Sequence, residues 1–187
     1  MIPLILRLDS GGRPISWMSW HAAVVLYVSD KVSWTLGERV WRIYGGQNRI
    51  SGARSYVDIH SIIACKGVMK AKPHQYGPPL TNRELFRRDH HICMYCLEKF
   101  PESWLTRDHV IPLCKRGRDV WGNVVTACFR CNQKKNGRTP EEANMMLHAI
   151  PYAPCHAEWL VLRNRRIQAD QMEFLQGQYR KRNHLKF

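Results

Sequence analysis

The spacing of apolar positions divides the chain into two stretches of regular elements with a break between them. Residues 3–8 are a mostly apolar run of strand length, closed by the turn-rich Asp9-Ser10-Gly11-Gly12-Arg13-Pro14. Ser19 precedes the apolar, alanine-containing stretch 20–27, where a serine hydroxyl can cap a helix. Residues 31–36 and 39–44 alternate with the two-residue period of strands, Gly45-Gly46 sets them apart from the residues beginning at Arg49, and 57–64 is a further apolar stretch. The prolines and glycine of 71–80 resist both helix and sheet and predict a linker. Beyond it, Thr81 and Glu84 match a capping box and predict a helix over 82–88. Thr139 and Glu142, with Pro140 between them, predict another running to about 148. A last helix is expected over 156–182, where Trp159, Leu160, Leu162, Ile167, Met172, Phe174 and Leu175 form an imperfect apolar face. The expected class is α+β: a small α+β unit over 1–70, a linker over 71–80, a second module over 81–150, and a C-terminal helical extension over 151–187.

A chain of 187 residues can hold a medium domain plus a small metal-stabilised module. Its 29 Lys and Arg against 15 Asp and Glu leave a formal charge of +14, which favours a polyanionic partner. Charge alone fits a ribosome-associated or membrane-surface protein equally well. Arg7 and Asp9 cut short the apolar start, and no run approaches the roughly 18 apolar residues of a membrane span. A cytoplasmic protein with no membrane partner is expected. In that reducing setting an odd count of seven cysteines points to metal ligation rather than disulfides for the clustered ones. Cys65, Cys114 and Cys155 stand alone and read as small buried hydrophobes. Trp17, Trp20, Trp34 and Trp41 read as core, and His21 and His60 as core or surface residues.

Cys93-Met-Tyr-Cys96 and Cys128-Phe-Arg-Cys131 are two C-x2-C pairs with 31 residues between them. Each pair can place two thiolates on one tight turn, and two turns complete a tetrahedral zinc site. His90 and His91 are near enough in sequence to substitute for one thiolate. Four cysteines close the coordination shell, so this zinc is expected to be structural. The stretch between the pairs reads as a hairpin: an apolar strand carrying Asp108 and His109, a basic loop with Gly117, then Asn123 opening the return strand. The second pair starts a helix that includes Asn132.

From about 83 to 146 the chain resembles an HNH nuclease of the ββα-metal class. The matching residues are Arg88-Asp89, the first C-x2-C, Asp108-His-Val-Ile-Pro112, Gly117, Asn123, the second C-x2-C followed by Asn132, Lys135, and Arg138-Thr-Pro140. The turn at 9–14 and the helix after it also resemble the leader region of some small bacterial HNH proteins. The resemblance implies that His109 takes a proton from the attacking water, that Asn123 braces the loop, and that Asp108 and Asn132 hold a catalytic divalent metal. Relatives often have Gly-Gly where this chain has Gly117-Arg118, Ser where it has Cys114, and His where it has Asn132.

The chemistry of these residues agrees with the implied roles. Phosphodiester hydrolysis needs a base that titrates near neutrality and a cation beside the developing negative charge. Histidine is such a base, and Asp and Asn oxygens are hard ligands suited to magnesium or manganese. Lys115, Arg116, Arg118, Lys134, Lys135 and Arg138 surround the expected site and read as phosphate contacts, with Arg87 and Arg88 as weaker ones. A metal-dependent DNA endonuclease acting on duplex DNA is therefore expected, with a homodimer or protein partner engaged through 1–70. The competing reading is a non-catalytic zinc module that binds nucleic acid. It would not need Asp108, His109 and Asn132 together.

Overall fold

The computed structural model describes residues 2–67 and 78–183, so the expected linker lies outside the described residues except for 78–80. The chain forms two compact units: Met1–Pro73 together with His156–Phe187, and His74–Cys155. The mixed α+β class expected from the sequence is observed. Among the described residues no helix is long and apolar enough to cross a membrane.

The first unit contains β1 (Ile5–Leu8), β2 (Pro14–Met18), α1 (Trp20–Val28), β3 (Val32–Gln47) and β4 (Arg54–Cys65). The strands form one sheet in the order β2-β1-β4-β3, with β1 parallel to β4 and the other pairs antiparallel. Ser19 caps α1 by accepting from the Ala22 N–H. Ile5, Ala23, Ile59 and Ile63 form the core on the α1 side. Strand alternation sends Leu6, Leu8, Ile62 and Ala64 to the opposite face, and all four are fully buried. Two strands differ from expectation. β2 comes directly after the turn at 9–14, where only a helix was expected further on. β3 continues through Gly45-Gly46, because cross-strand pairing with β4 outweighs glycine's weak preference for strand.

The second unit holds α2 (Asn82–Arg88), β5 (Leu105–His109), β6 (Val124–Cys128) and α3 (Phe129–Lys135). Thr81 caps α2 by accepting from the Glu84 N–H, as the capping box predicts. β5 and β6 pair antiparallel from Leu105↔Cys128 to His109↔Val124. Leu85, Phe86, Leu105, Trp121 and Val124 form one buried cluster against this hairpin. Cys93, Met94, Tyr95, Val125, Ala127 and Cys128 form a second. The second capping box forms its reciprocal bonds, Thr139 N–H to Glu142 and Glu142 N–H to the Thr139 hydroxyl. It nucleates only a turn, because Asn144 adopts a left-handed φ of 49° and the chain then runs over the cysteine cluster with Met145 and Leu147.

The C-terminal residues return to complete the first unit. The single helix expected over 156–182 is two helices, α4 (His156–Arg163) and α5 (Ala169–Asn183). Between them the Asn164 side chain accepts from the Arg166 N–H at 3.0 Å, replacing a further helical turn. Trp17 Nε1 donates to the Leu160 carbonyl at 2.9 Å. The buried Gln171 amide donates to the Leu4 and Ser61 carbonyls at 2.9 and 2.8 Å.

Candidate functional site

The four clustered cysteines come together as expected. The sulfurs of Cys93, Cys96, Cys128 and Cys131 all lie within 4.8 Å of one another. Tight backbone geometry builds each turn. The Leu97 N–H bonds the Cys93 carbonyl at 2.9 Å, and Leu97 sits at a φ of 60°. Cys128 caps α3, its sulfur accepting from the Cys131 N–H. His91 is engaged with Glu102 at 3.3 Å, so the cluster is a four-sulfur one. Burial pushes the Cys131 thiol well above its usual range. Burial acts the same way on Cys93, but hydrogen bonds from the backbone around Cys128, Cys96 and Tyr95 outweigh it and bring that thiol below the range. Four sulfurs at this separation are compatible with a structural zinc ion.

β5 carries the candidate site residues on alternate faces. Arg107 and His109 share one face, and Thr106 and Asp108 share the other, against α3. His109 Nε2 lies 2.9 Å from an Asp119 oxygen, and Arg107 bonds the same carboxylate at 2.8 Å. Partial burial pushes the Asp119 carboxyl up, yet the hydrogen bonds from His109 and Arg107 hold it below the usual carboxylate range. With Asp119 accepting from Nε2–H, Nδ1 is the open acceptor of the imidazole.

Asn123 is buried immediately before β6 and bridges the loop. Its Oδ1 accepts from the Ile111 N–H at 2.9 Å, and its Nδ2 donates to the Ile111 and Arg118 carbonyls, both at 2.9 Å. Gly117 closes the loop. A Cβ there would lie 1.8 Å from the Ile111 carbonyl oxygen, so no other residue fits without moving the backbone.

On the α3 side, Asp108 is buried and both its oxygens are engaged. Tyr95 donates its hydroxyl to Oδ2 at 2.6 Å, and Lys135 Nζ lies 3.0 Å from Oδ1. Burial and the bond to Asp108 keep Tyr95 a neutral phenol by raising its ionisation far beyond the usual range. One turn earlier on α3, Asn132 Nδ2 donates to the Thr106 hydroxyl at 2.9 Å. Asn132 and Lys135 thus lie along the strand face that bears Thr106 and Asp108.

The basic residues divide into three groups. Arg116, Arg118 and Lys134 are exposed or partly so, with no acidic side chain bonded to them among the described contacts. Lys115 is exposed but paired with Glu142, and Arg138 bonds the Lys134 and Lys135 carbonyls at the end of α3. Lys135 is a correction to the expected phosphate set: it is only 1% exposed, paired to Asp108 and bonded to the His109 carbonyl at 2.7 Å. Arg88 is buried as well. It pairs with Asp89 at 2.7 Å and donates to the Trp121, Val124 and Tyr152 carbonyls, while Asp89 accepts from the Thr126 N–H. The Arg88-Asp89 pair is therefore a structural tie between α2 and β6.

Asp119 and Tyr95 are functional candidates that the sequence reading does not single out. Asp119 has a legible signal, since it is the sole acidic residue between His109 and Pro140. Tyr95 lies between the cysteines of the first C-x2-C pair and carries none.

Residues 93–148 match a family model described as HNH endonuclease. Over these residues the module built around the cysteine cluster and the β5–β6 hairpin is similar to that family, a likeness that points to nuclease chemistry in general and to a nucleic acid as substrate. No curated protein matches the chain.

Proposed function

We propose that this chain is a metal-dependent endonuclease that hydrolyses phosphodiester bonds in duplex DNA. The carrying observation is the placement of His109, held through Nε2 by Asp119 on a loop braced by Asn123. Nδ1 is then free to accept the proton of an attacking water, and Asp119 stabilises the imidazolium that forms. Asp108 and Asn132 offer a carboxylate and an amide oxygen, hard donors that fit magnesium or manganese. Both Asp108 oxygens retain lone pairs beyond their bonds to Tyr95 and Lys135. A divalent ion held there would polarise the scissile phosphate and stabilise charge on the leaving oxygen. Arg116, Arg118 and Lys134 supply positive charge for the DNA backbone. One such site cuts one strand at a time, so a double-strand break requires two visits or two copies. The free thiols, clustered for a metal, suit the reducing cytoplasm.

Supercoiled plasmid incubated with and without added magnesium or manganese tests the reading. Metal-dependent conversion to open-circle or linear DNA is expected. Intact plasmid under every metal, with DNA binding retained, would favour the second reading of a non-catalytic zinc module. One observation speaks for that reading: Asp108 is buried and already neutralised by Lys135.

Asp119 is read as a positioning residue. Asp119→Asn is expected to lower kcat by about 10- to 100-fold with little change in KM, since a neutral partner no longer stabilises the imidazolium or fixes its tautomer. Asp119→Glu should recover part of the loss. A full-rate Asn variant would remove Asp119 from the mechanism.

A further inference from the structure

Beyond Leu36 the β3–β4 pair leaves the sheet. β1 pairs with β4 only at Ile62, Ile63 and Ala64, whereas β3 and β4 continue to pair from Val40↔His60 out to Gln47↔Arg54. The result is a two-stranded ribbon of roughly 20 Å at about 3.3 Å per residue. Its tip is fixed by Asn48, whose Oδ1 accepts from the Ile50 and Ser51 N–H groups at 2.9 and 3.1 Å.

The two faces of the ribbon differ. Trp41, Ile43, Val57 and Ile59 pack into the core beside α1. Arg42, Tyr44, Tyr56 and Asp58 share the other face by register, and each tyrosine is 55% exposed. Residues 39–57 contain Arg39, Arg42, Arg49 and Arg54 and no acidic residue. The Arg42 guanidinium lies 4.2 Å from the Tyr56 ring centroid and that of Arg54 lies 5.0 Å from Tyr44, with the two rings 6.5 Å apart. Arg42 is neutralised by a two-pronged pair with Asp58, both contacts 2.8 Å. Among the described residues Arg54 spends only Nε, on the Gly45 carbonyl at 3.1 Å, and Arg49 is exposed at the tip.

We infer that this ribbon is a second DNA-binding element, gripping the phosphate backbone of a duplex through Arg49 and Arg54; the partner's identity rests on the nuclease reading. Charge complementarity carries the choice of partner. A guanidinium fixed over a ring and by one backbone bond presents its remaining N–H groups in a set direction, which suits the two oxygens of a phosphate. Each tyrosine already carries an arginine, so the face displays cationic forks rather than a bare stacking platform for unpaired bases.

Fluorescence anisotropy of the full chain on a labelled duplex, with no divalent ion added, reads binding apart from cleavage. The double variant Arg49→Ala/Arg54→Ala should bind about 10- to 100-fold more weakly, with the slope of log affinity against log salt reduced by about two. Arg165→Ala/Arg166→Ala removes the same charge from an exposed loop of the same unit and should leave affinity nearly unchanged. Unchanged melting and zinc content would show that the ribbon variant is folded. Equal losses in the two variants, no loss in the ribbon variant, or tighter binding of a single strand than of the duplex would overturn the inference. Ribbon-dependent binding by a protein that cuts nothing would instead sink the nuclease reading alone, and plasmid cleavage with ribbon-independent binding would sink the ribbon alone.

Discussion

His109→Ala is expected to slow plasmid cleavage by about 10²- to 10⁴-fold, the range over which a positioned general base contributes. At 1.36 kcal/mol per tenfold, that is roughly 3–5 kcal/mol of barrier. The side chain is 20% exposed and its partner Asp119 is 49% exposed, so its removal leaves no buried charge. The loop is held independently by Asn123, through the Ile111 N–H and the Ile111 and Arg118 carbonyls. Zinc content, melting temperature and duplex affinity should therefore match the wild type, and the loss should appear in kcat. Free imidazole, able to enter the space left by the ring, should restore part of the rate. Cleavage at the wild-type rate would remove His109 from the chemistry. A fall in melting temperature matching the loss of rate would assign it a structural role instead.

Removing zinc should unfold the second unit. The cysteine cluster is not an addition to a finished core: Cys93 and Cys128 are themselves buried members of the cluster with Met94, Tyr95, Val125 and Ala127. Apparent binding energies for structural zinc are about 10–16 kcal/mol, more than a small module has in total stability. Cys128→Ser is expected to lower zinc content to near zero and to abolish the cooperative melting of this unit. It also alters the cap of α3, whose first turn bonds the Cys128 sulfur. Chelation of the wild type separates the two causes, because it removes the ion and leaves the cap. Elemental analysis with calorimetry reads both. Full zinc content in the serine variant, or unaltered melting after chelation, would show that the four sulfurs do not hold a structural ion.

Local signals in the sequence locate most of the second unit. Thr81 and Glu84 mark the start of α2, and the paired cysteines announce the cluster, because each signal acts over a few residues. Thr139 and Glu142 show the limit of such signals. Their reciprocal bonds form, yet Asn144 turns the chain away to cover Met94 and its neighbours. The charge of Lys135 predicts a solvent-facing residue, but its position on α3 turns it inward onto Asp108, a partner 27 residues away. The His109–Asp119 contact joins a strand to a loop, and no periodicity announces such a pair. In the first unit, β2 and the long β3 depend on pairing partners supplied by other segments of the chain. The tie from Gln171 to Leu4 joins residues 167 positions apart.

That last tie bears on the order in which the protein matures. The strands of the first unit precede the second unit in the chain, but they receive Leu160, Gln171 and Leu175, all buried, only after the second unit has been synthesised. On the ribosome the segment His74–Cys155 therefore emerges whole and can acquire its metal while the earlier sheet still waits for its last helices. A chain released prematurely after residue 155 would carry the entire second unit but leave the first sheet without the helices that tie to Trp17, Leu4 and Ser61, and an incompletely packed product of that kind is a substrate for quality control and proteases.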